Sequence, residues 1–233
     1  MCGRYAQYAP IELTEEEESA LHDLNAELDL AGVLNQREPR FNICPTQTAP
    51  VIARGEAGVE VKGLRWGLVP GWAKDIKIGT HAINARQESV EVKPMFRAAF
   101  KKRRALVPAS GFFEWTGEKG HKQPWIIYPP DHTLMLFAGL WEAWKDTTDP
   151  AAEWIKTFTI LTGLPGKVSG DIHDRQPVIL PPTMWETWLD GTPEEAASLL
   201  EAVPEAELVY HPVTKAVSSP KSQGRQLIEP ITL

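Results

Sequence analysis

The amino-acid sequence predicts an α+β fold built on an antiparallel, barrel-like β-sheet with peripheral helices. Short apolar runs broken by proline and glycine recur from Arg40 onward, as is typical of β-strands. Their spacing is irregular and lacks the strand–helix alternation of a parallel sheet. Two helix-start signatures add a few helices. Because no linker, repeat or low-complexity tract interrupts the chain, we expect a single domain over residues 1–233.

The first helix is predicted close to the N-terminus. Thr14 precedes four glutamates and is placed to form a capping box with Glu17, in which each side chain bonds the other residue's backbone amide. Leu21, Leu24 and Leu28 then recur at helical spacing. We interpret the glutamates as a solvated helix start rather than a metal site.

The remaining elements are predicted from short apolar runs and turn residues. Strands are expected at residues 51–54 and 59–69, with a loop at 70–72, and then at 105–107, 111–115, 124–128, 134–140, 157–161 and 209–213. Helices are expected at 94–104 and 182–189, and a second capping signature at Thr192 opens one through Leu200.

Composition bounds the class of protein. With 42% hydrophobic and 24% charged residues, the chain of 233 residues can bury a full core. No apolar run could span a bilayer and no secretory signal opens the sequence, so we expect a cytoplasmic protein without a membrane partner. The two cysteines give no disulfide framework and no zinc-site spacing, and Cys44 is interpreted as a small buried residue.

The net charge of −7 argues at first against a nucleic-acid partner. The charges are unevenly distributed, however, since residues 86–104 contain seven basic and two acidic side chains. Salt screens charges beyond roughly 8–10 Å, so a local basic strip can bind phosphates on an acidic protein. The net charge therefore does not exclude a nucleic-acid partner.

The N-terminus begins Met1-Cys2-Gly3-Arg4. A small second residue favours removal of the initiator methionine, which would leave Cys2 with an α-amine and a thiol on one carbon. Such an aminothiol condenses with an aldehyde to an imine and then closes to a thiazolidine, and both groups are partly nucleophilic near neutral pH. The alternative is that Cys2 is an incidental, buried cysteine.

Three further segments could carry chemistry. Asn84 and Arg86 offer an amide to orient an amine or carbonyl and a guanidinium to bind a phosphate, although this segment taken alone favours a turn asparagine and a surface arginine. Glu114 lies among three aromatic residues. If it faces inward, burial would make it a general acid or base; if the strand alternates regularly, its side chain would point to solvent instead. His173 between carboxylates could move protons, form part of a salt-linked turn or bind a metal.

The nine tryptophans are numerous for this length. Core packing explains most tryptophans in proteins. Trp66, Trp72 and Trp115, however, lie beside motif residues or a loop, where exposed rings near basic side chains could stack on unpaired bases.

Taken together, these motifs resemble those of the SRAP (SOS response-associated peptidase) family. Each match is short, but their occurrence together in this order, almost from end to end of the chain, is specific. The matching segments are Cys2-Gly3-Arg4, Arg40-Phe41-Asn42, Trp66-Gly67, Ile83-Asn84-Ala85-Arg86, Gly111-Phe112-Phe113-Glu114-Trp115, Asp171-Ile172-His173-Asp174-Arg175 and His211-Pro212-Val213. The resemblance implies covalent attachment to abasic sites in single-stranded DNA, with possible lyase and peptidase-like, autoprocessing activities. It implies no cofactor, and we expect a monomer that is nucleoid-associated when bound to DNA.

The resemblance also implies roles for individual residues. Cys2 is the nucleophile, and the active site is completed by Asn84, Glu114 and His173. The positions implied to contact DNA are Arg4, Trp66, Trp72 and Arg86. In this hypothesis Asn84 holds the N-terminus while Glu114 and His173 move protons.

Two other functions remain open from the sequence. An N-terminal-nucleophile amidohydrolase would also begin with Cys-Gly after processing, with the thiol attacking an amide. A non-covalent single-stranded DNA-binding module would keep the basic and aromatic residues and make Cys2 incidental. The amidohydrolase predicts glutamine hydrolysis, and the binding module predicts salt-reversible binding with equal affinity for intact and abasic DNA.

Overall fold

The computed structural model describes residues 2–8, 13–24, 30–55, 58–118 and 120–233. The strands are β1 (Arg4–Gln7), β2 (Arg40–Ile43), β3 (Thr48–Arg54), β4 (Val59–Trp66), β5 (Asn84–Arg86), β6 (Arg104–Ala109), β7 (Gly111–Thr116), β8 (Gln123–Tyr128), β9 (Met135–Trp144), β10 (Ile155–Gly163), β11 (Gln176–Pro177) and β12 (Val209–Pro212). The α-helices are α1 (Glu15–Asp23), α2 (Leu30–Asn35), α3 (Arg97–Lys102), α4 (Lys167–Gly170), α5 (Trp185–Asp190) and α6 (Pro193–Ala202), and short 3₁₀ helices lie at Ile76–His81, Gln87–Ser89, Pro182–Met184, Lys215–Ser218 and Arg225–Leu227.

Five strands close into a barrel, which confirms the predicted fold class. The order is β10-β4-β3-β6-β9, and pairing of β9 with β10 completes the ring. The barrel pairings are antiparallel except that β4 and β10 run parallel. β5 and β11 extend β10 beyond the ring, and a second, five-stranded sheet has the order β12-β8-β7-β1-β2.

The second sheet packs against the interior of the barrel. Alternate residues of β4 and β9, including Trp66 and Phe137, point into the barrel and share one core cluster with Tyr5 and Phe112 of the second sheet. The Tyr5 ring meets Trp66 edge-on at 5.2 Å between centroids, and Phe112 meets Phe137 at 6.0 Å. This contact places β1 and β7, which carry several predicted site residues, against the barrel.

A helical layer covers another face of the barrel. Phe100 of α3 and Trp188 of α5 pack there with outward residues of the barrel strands. Arg104 is buried beneath this layer, where its guanidinium donates to the carbonyls of Phe100, Trp188 and Gly191. Among the described residues, no helix is long and apolar enough to cross a membrane.

Not every basic residue of the sequence 86–104 is available to bind a phosphate. Arg104 is buried, and Arg103 donates to Glu142 at 2.7 Å. The helix predicted at 94–104 is correspondingly shorter, because Arg104 already pairs with Leu140 as the first residue of β6. Arg104 therefore does not take part in the predicted basic strip, and phosphate binding by the other residues of the strip stays a prediction.

Most predicted strands are confirmed, but four of the short ones were missed. β1, β2, β5 and β11 have two to four residues each, too few for a periodic signal. The strand predicted at 59–69 ends at Trp66, because the backbone of Gly67 turns out of the extended conformation with φ +115°. Only glycine fits there, since a Cβ would lie 2.6 Å from the carbonyl oxygen of Gly79. Leu28, assigned to the first helix, lies outside the described residues.

Both predicted capping boxes are confirmed. The Thr14 hydroxyl accepts from the Glu17 amide at 3.2 Å, and the Thr14 amide donates to the Glu17 carboxylate at 2.7 Å. Thr192 and Glu195 make the same pair of bonds at 3.1 and 2.7 Å. Local sequence suffices for these elements because each cap involves residues three positions apart.

We expect Thr192→Ala to lower the free energy of unfolding by about 1 kcal/mol, since it removes an acceptor for an otherwise unbonded helix amide. Urea denaturation followed by tryptophan fluorescence measures this change. Ser198→Ala is the matched control, because it deletes an exposed hydroxyl in the same helix and should change stability by less than about 0.5 kcal/mol. Equal effects of the two substitutions would contradict the capping role.

Candidate active site at the N-terminus

The candidate site lies where the start of β1 meets β7 of the second sheet and β5 beside the barrel. Arg4 pairs with Phe113 in the antiparallel β1–β7 ladder, which brings the preceding residues of the chain to the level of Glu114. β5 pairs parallel with the end of β10, Asn84 opposite Ile160. Cys2, which precedes β1, Asn84 of β5 and Glu114 of β7 thus come from distant parts of the sequence.

Asn84 is bonded directly to the N-terminal segment. Its Nδ2 donates to the backbone carbonyl of Cys2 at 2.7 Å. Its Oδ1 is buried, and no group of the described residues donates to it. Asn84 lies in a strand rather than a turn, so the simple interpretation of a turn asparagine is wrong. The side chain holds Cys2 in place and keeps one further acceptor inside the site.

Cys2 is fully buried at the edge of the barrel core. Burial raises the pKa of its thiol well above the usual range, and the nearby charge of Glu114 raises it further. The thiol donates weakly to the Arg4 carbonyl at 3.7 Å. The raised pKa favours the neutral thiol, which needs a base to become nucleophilic.

Glu114 faces inward, so the alternative that it points to solvent is wrong. Its side chain is 3% exposed, although regular alternation would have turned it away from the neighbouring Phe113 into water. Both faces of β7 are covered: Phe112 packs towards the barrel, and Phe113 packs with Val213 and Val217 of the C-terminal segment. Burial raises the pKa of Glu114, which makes the carboxyl a usable acid at higher pH than usual.

His173 completes the cluster from a loop after α4. Its Nε2 lies 3.9 Å from Glu114 Oε2, and its Nδ1 lies 2.8 Å from Asp174 Oδ1 and accepts from the Arg175 amide at 3.1 Å. The imidazole is about one-quarter exposed, so it connects the buried Glu114 with solvent. Within the described ranges, no group of three or more His, Cys, Asp or Glu side chains is arranged to hold a metal ion.

An ion pair between Arg175 and Glu88, which the sequence did not predict, fixes the His173 loop. Arg175 donates to both oxygens of Glu88 at 3.0 Å and also to the Thr162 carbonyl of β10. A bidentate pair of this kind holds a loop in one geometry. Arg175 belonged to a recognised motif, but no local signal pairs it with Glu88, which lies far away in the sequence.

The implied DNA-contacting residues differ in exposure. Trp72 is 60% exposed and Arg86 is exposed next to Asn84. Arg4 is only partly exposed, because its guanidinium donates to Asn42 Oδ1 at 3.2 Å, Cys44 Sγ at 3.0 Å and a backbone carbonyl at 2.7 Å. Cys44 is buried as predicted.

Trp66 does not present its ring to solvent. It is fully buried, stacks on Phe158 with 6.2 Å between centroids, and donates from Nε1 to the Ile83 carbonyl at 2.8 Å. The expectation of an exposed ring at Trp66 is wrong, because its strand position points into the barrel. Its indole instead fixes the backbone immediately before Asn84.

Comparison with known proteins defines the class to which this barrel and site belong. Residues 1–220 match the family model described as SOS response associated peptidase (SRAP), and the chain therefore belongs to the SRAP family. Because the matched region ends at residue 220, a single domain over residues 1–233 stays a prediction.

Relatives that match over nearly their whole length include YoqW of Bacillus subtilis and YedK of Escherichia coli. YoqW is 34% identical, covering 98% of this chain and 99% of the relative, and YedK is 31% identical, covering 99% and 100%. Both are named abasic site processing proteins.

Solved structures show the same fold. A protein from Bacteroides thetaiotaomicron superposes with a TM-score of 0.76 at 23% identity, covering 98% of this chain and 100% of its own. A phage-related protein from Bordetella bronchiseptica superposes with a TM-score of 0.68 at 31% identity, covering 95% and 99%.

Proposed function

We propose that this protein processes abasic sites in DNA, and that it does so by joining Cys2 covalently to the ring-opened aldehyde of an abasic site in single-stranded DNA. The observation that carries the proposal is the hydrogen bond from Asn84 to the Cys2 carbonyl, which fixes Cys2 near Glu114. The Glu114 carboxylate in turn lies 3.9 Å from His173 Nε2. The names of the relatives support the choice of abasic DNA as the substrate.

The chemistry starts once removal of Met1 has freed the Cys2 amine. The amine adds to the aldehyde carbon and forms a carbinolamine, which loses water to give an imine. The thiol then adds across the C=N bond: sulfur binds carbon and the thiol proton ends on nitrogen. The sum is one aldehyde and one aminothiol giving one thiazolidine and one water, without oxidation or reduction.

The buried side chains supply the proton transfers of this sequence. Glu114 in its acid form protonates the departing hydroxyl, and as carboxylate it takes the thiol proton, which the raised pKa of the thiol makes necessary. His173 exchanges protons between Glu114 and solvent. The buried Oδ1 of Asn84 accepts a hydrogen bond from the Cys2 amine and aims it at the aldehyde.

The DNA strand is held by exposed cationic and aromatic side chains. Arg86 follows Asn84 by two residues and is exposed for a phosphate, and the exposed Trp72 offers a π-face to an unpaired base. Stacking of this kind requires unpaired bases, which favours single-stranded over duplex DNA. Arg4 contributes through the part of its guanidinium edge that remains exposed.

The imine is also the branch point to strand cleavage. From the imine, loss of the 3′ phosphate by β-elimination would cut the strand, which is lyase chemistry. Ring closure by the Cys2 thiol removes the C=N bond and prevents that loss. We therefore propose that the protein protects the strand because the thiol closes faster than the phosphate leaves.

The test mixes the methionine-processed protein with a single-stranded oligonucleotide carrying one abasic site and with an intact strand of the same sequence. We expect a band on a denaturing gel that survives heating and appears with the abasic strand alone. Absence of that band, with loss of Met1 verified by intact mass, would overturn the proposal. Glutamine hydrolysis would then indicate an amidohydrolase, and equal, salt-reversible binding of both strands would indicate a non-covalent binding module.

A further inference from the structure

The barrel end away from Asn84 carries a second group of aromatic and cationic side chains. β9 ends and β10 begins there, whereas Asn84 pairs with Ile160 near the other end of β10. Lys156 precedes Ile160 by four residues, about 13 Å along a strand at ~3.3 Å per residue. We call Lys62, Trp141, Trp154 and Lys156 the distal patch.

Two ammonium groups of the distal patch lie against one indole. Lys62 Nζ is 5.6 Å from the centroid of the Trp141 ring and Lys156 Nζ is 5.9 Å from it. Trp141 is partly buried against the barrel interior, which fixes the position of the ring. Trp154, immediately before β10, is 67% exposed, an unusual setting for so large an apolar side chain.

The charges around the patch leave Lys156 available. Lys62 pairs with Glu60 at 2.5 Å, and the neighbouring Arg103 pairs with Glu142 at 2.7 Å. Lys156 is exposed and forms no ion pair with any residue that the structure describes. An exposed ammonium that forms no ion pair with the described residues and lies beside the Trp141 ring suits a phosphate that follows a stacked base.

The loop that carries Trp72 contacts the end of β9 and leads along the chain to Asn84. A Cβ on Gly71 would lie 3.9 Å from the carbonyl oxygen of Ala143, which pairs with Lys156 across the β9–β10 ladder. Trp144 Nε1 donates to the Ala73 carbonyl at 2.7 Å, so this loop is bonded to the end of β9. The loop that carries the exposed Trp72 therefore lies against the end of β9 and the start of β10.

We propose that the distal patch is a second contact for single-stranded nucleic acid, with Trp154 stacking on an unpaired base and Lys156 binding a phosphate. This inference rests on the proposed function, since it extends the strand held by Arg86 past Trp72 to the far end of the barrel. It predicts that affinity increases once a strand is long enough to reach both places.

The test uses fluorescence anisotropy with an intact single strand of about 16 nucleotides, at the upper end of typical site sizes. We expect Lys156→Gln/Trp154→Ala to weaken binding at least about five-fold, from the loss of one stacked base, and to reduce the salt slope of binding by about 0.7 for the lost phosphate contact. Trp154→Phe keeps an aromatic face and should retain most of the affinity. Lys122→Gln, an exposed lysine at the start of β8, is the charge control and should change affinity little.

A crosslinking reaction with an abasic strand of about 4 nucleotides separates this inference from the proposed function. The double variant should crosslink that short strand as the wild type does. Normal crosslinking together with wild-type affinity for the long strand would overturn the inference and leave the proposed function intact. Absence of crosslinking by the wild type, with weaker long-strand binding by the double variant, would overturn the proposed function and leave the distal patch as a binding surface.

Discussion

Cys2→Ala is expected to abolish the heat-stable adduct with abasic DNA. The substitution leaves an N-terminal amine but removes the sulfur that closes the imine to a thiazolidine, so any imine that forms hydrolyses on denaturation. A denaturing gel of the reaction with the abasic strand measures the loss, which we expect to be complete. Cys44→Ala is the matched control, because Cys44 is likewise a free, buried cysteine, and it should leave the adduct yield unchanged.

Cys2→Ser separates the two bonds of the proposed thiazolidine. The serine variant retains the amine, so borohydride should trap its imine as a stable secondary amine, whereas without reduction no heat-stable band should remain. Wild-type protein should form the band with or without borohydride. A heat-stable, unreduced adduct in Cys2→Ser would show that the sulfur is not part of the crosslink.

Features determined by nearby residues could be predicted from the sequence. Both capping boxes depend on residues three positions apart, and apolar runs bounded by turn residues indicate the longer strands. Asn84 shows the limit of this approach, because its strand has only three residues and depends on pairing with Ile160. The motif identified Asn84 as a candidate, but only the fold shows that its amide reaches the Cys2 carbonyl.

The side on which a strand residue is buried depends on tertiary contacts. Glu114 was undecided because alternation leaves one face of a strand for solvent, whereas β7 has the barrel on one side and the C-terminal segment with Val213 and Val217 on the other. The exposure of the Trp66 ring was predicted wrongly because it too depends on tertiary contacts. The motif around Trp66 does not show that this side chain points into a closed barrel. Local pattern locates such residues, and the packing of distant segments decides what they can do.

Glu114→Gln is expected to slow adduct formation by roughly 100- to 10,000-fold, the usual contribution of a positioned general acid or base. Glutamine keeps the shape of the side chain and can neither donate an acidic proton to the departing hydroxyl nor accept one from the thiol. The initial rate of crosslinking to a single-stranded abasic oligonucleotide measures the effect. Glu118→Gln, at an exposed glutamate after β7, is the control and should react at the wild-type rate.

The stability of the same variant tests whether Glu114 acts as a buried acid rather than as a structural contact. Because burial raises the folded-state pKa of Glu114, its contribution to stability is present below the ordinary carboxyl pKa and is lost as the pH rises through the raised value. Glu114→Gln cannot ionise, so its free energy of unfolding should fall less than that of the wild type over this pH range. If Glu114→Gln crosslinks slowly and its free energy of unfolding depends less on pH than that of the wild type, the loss of rate is assigned to proton transfer. A variant that crosslinks at the wild-type rate would remove Glu114 from the mechanism, and one destabilised at every pH would show that its contribution is structural.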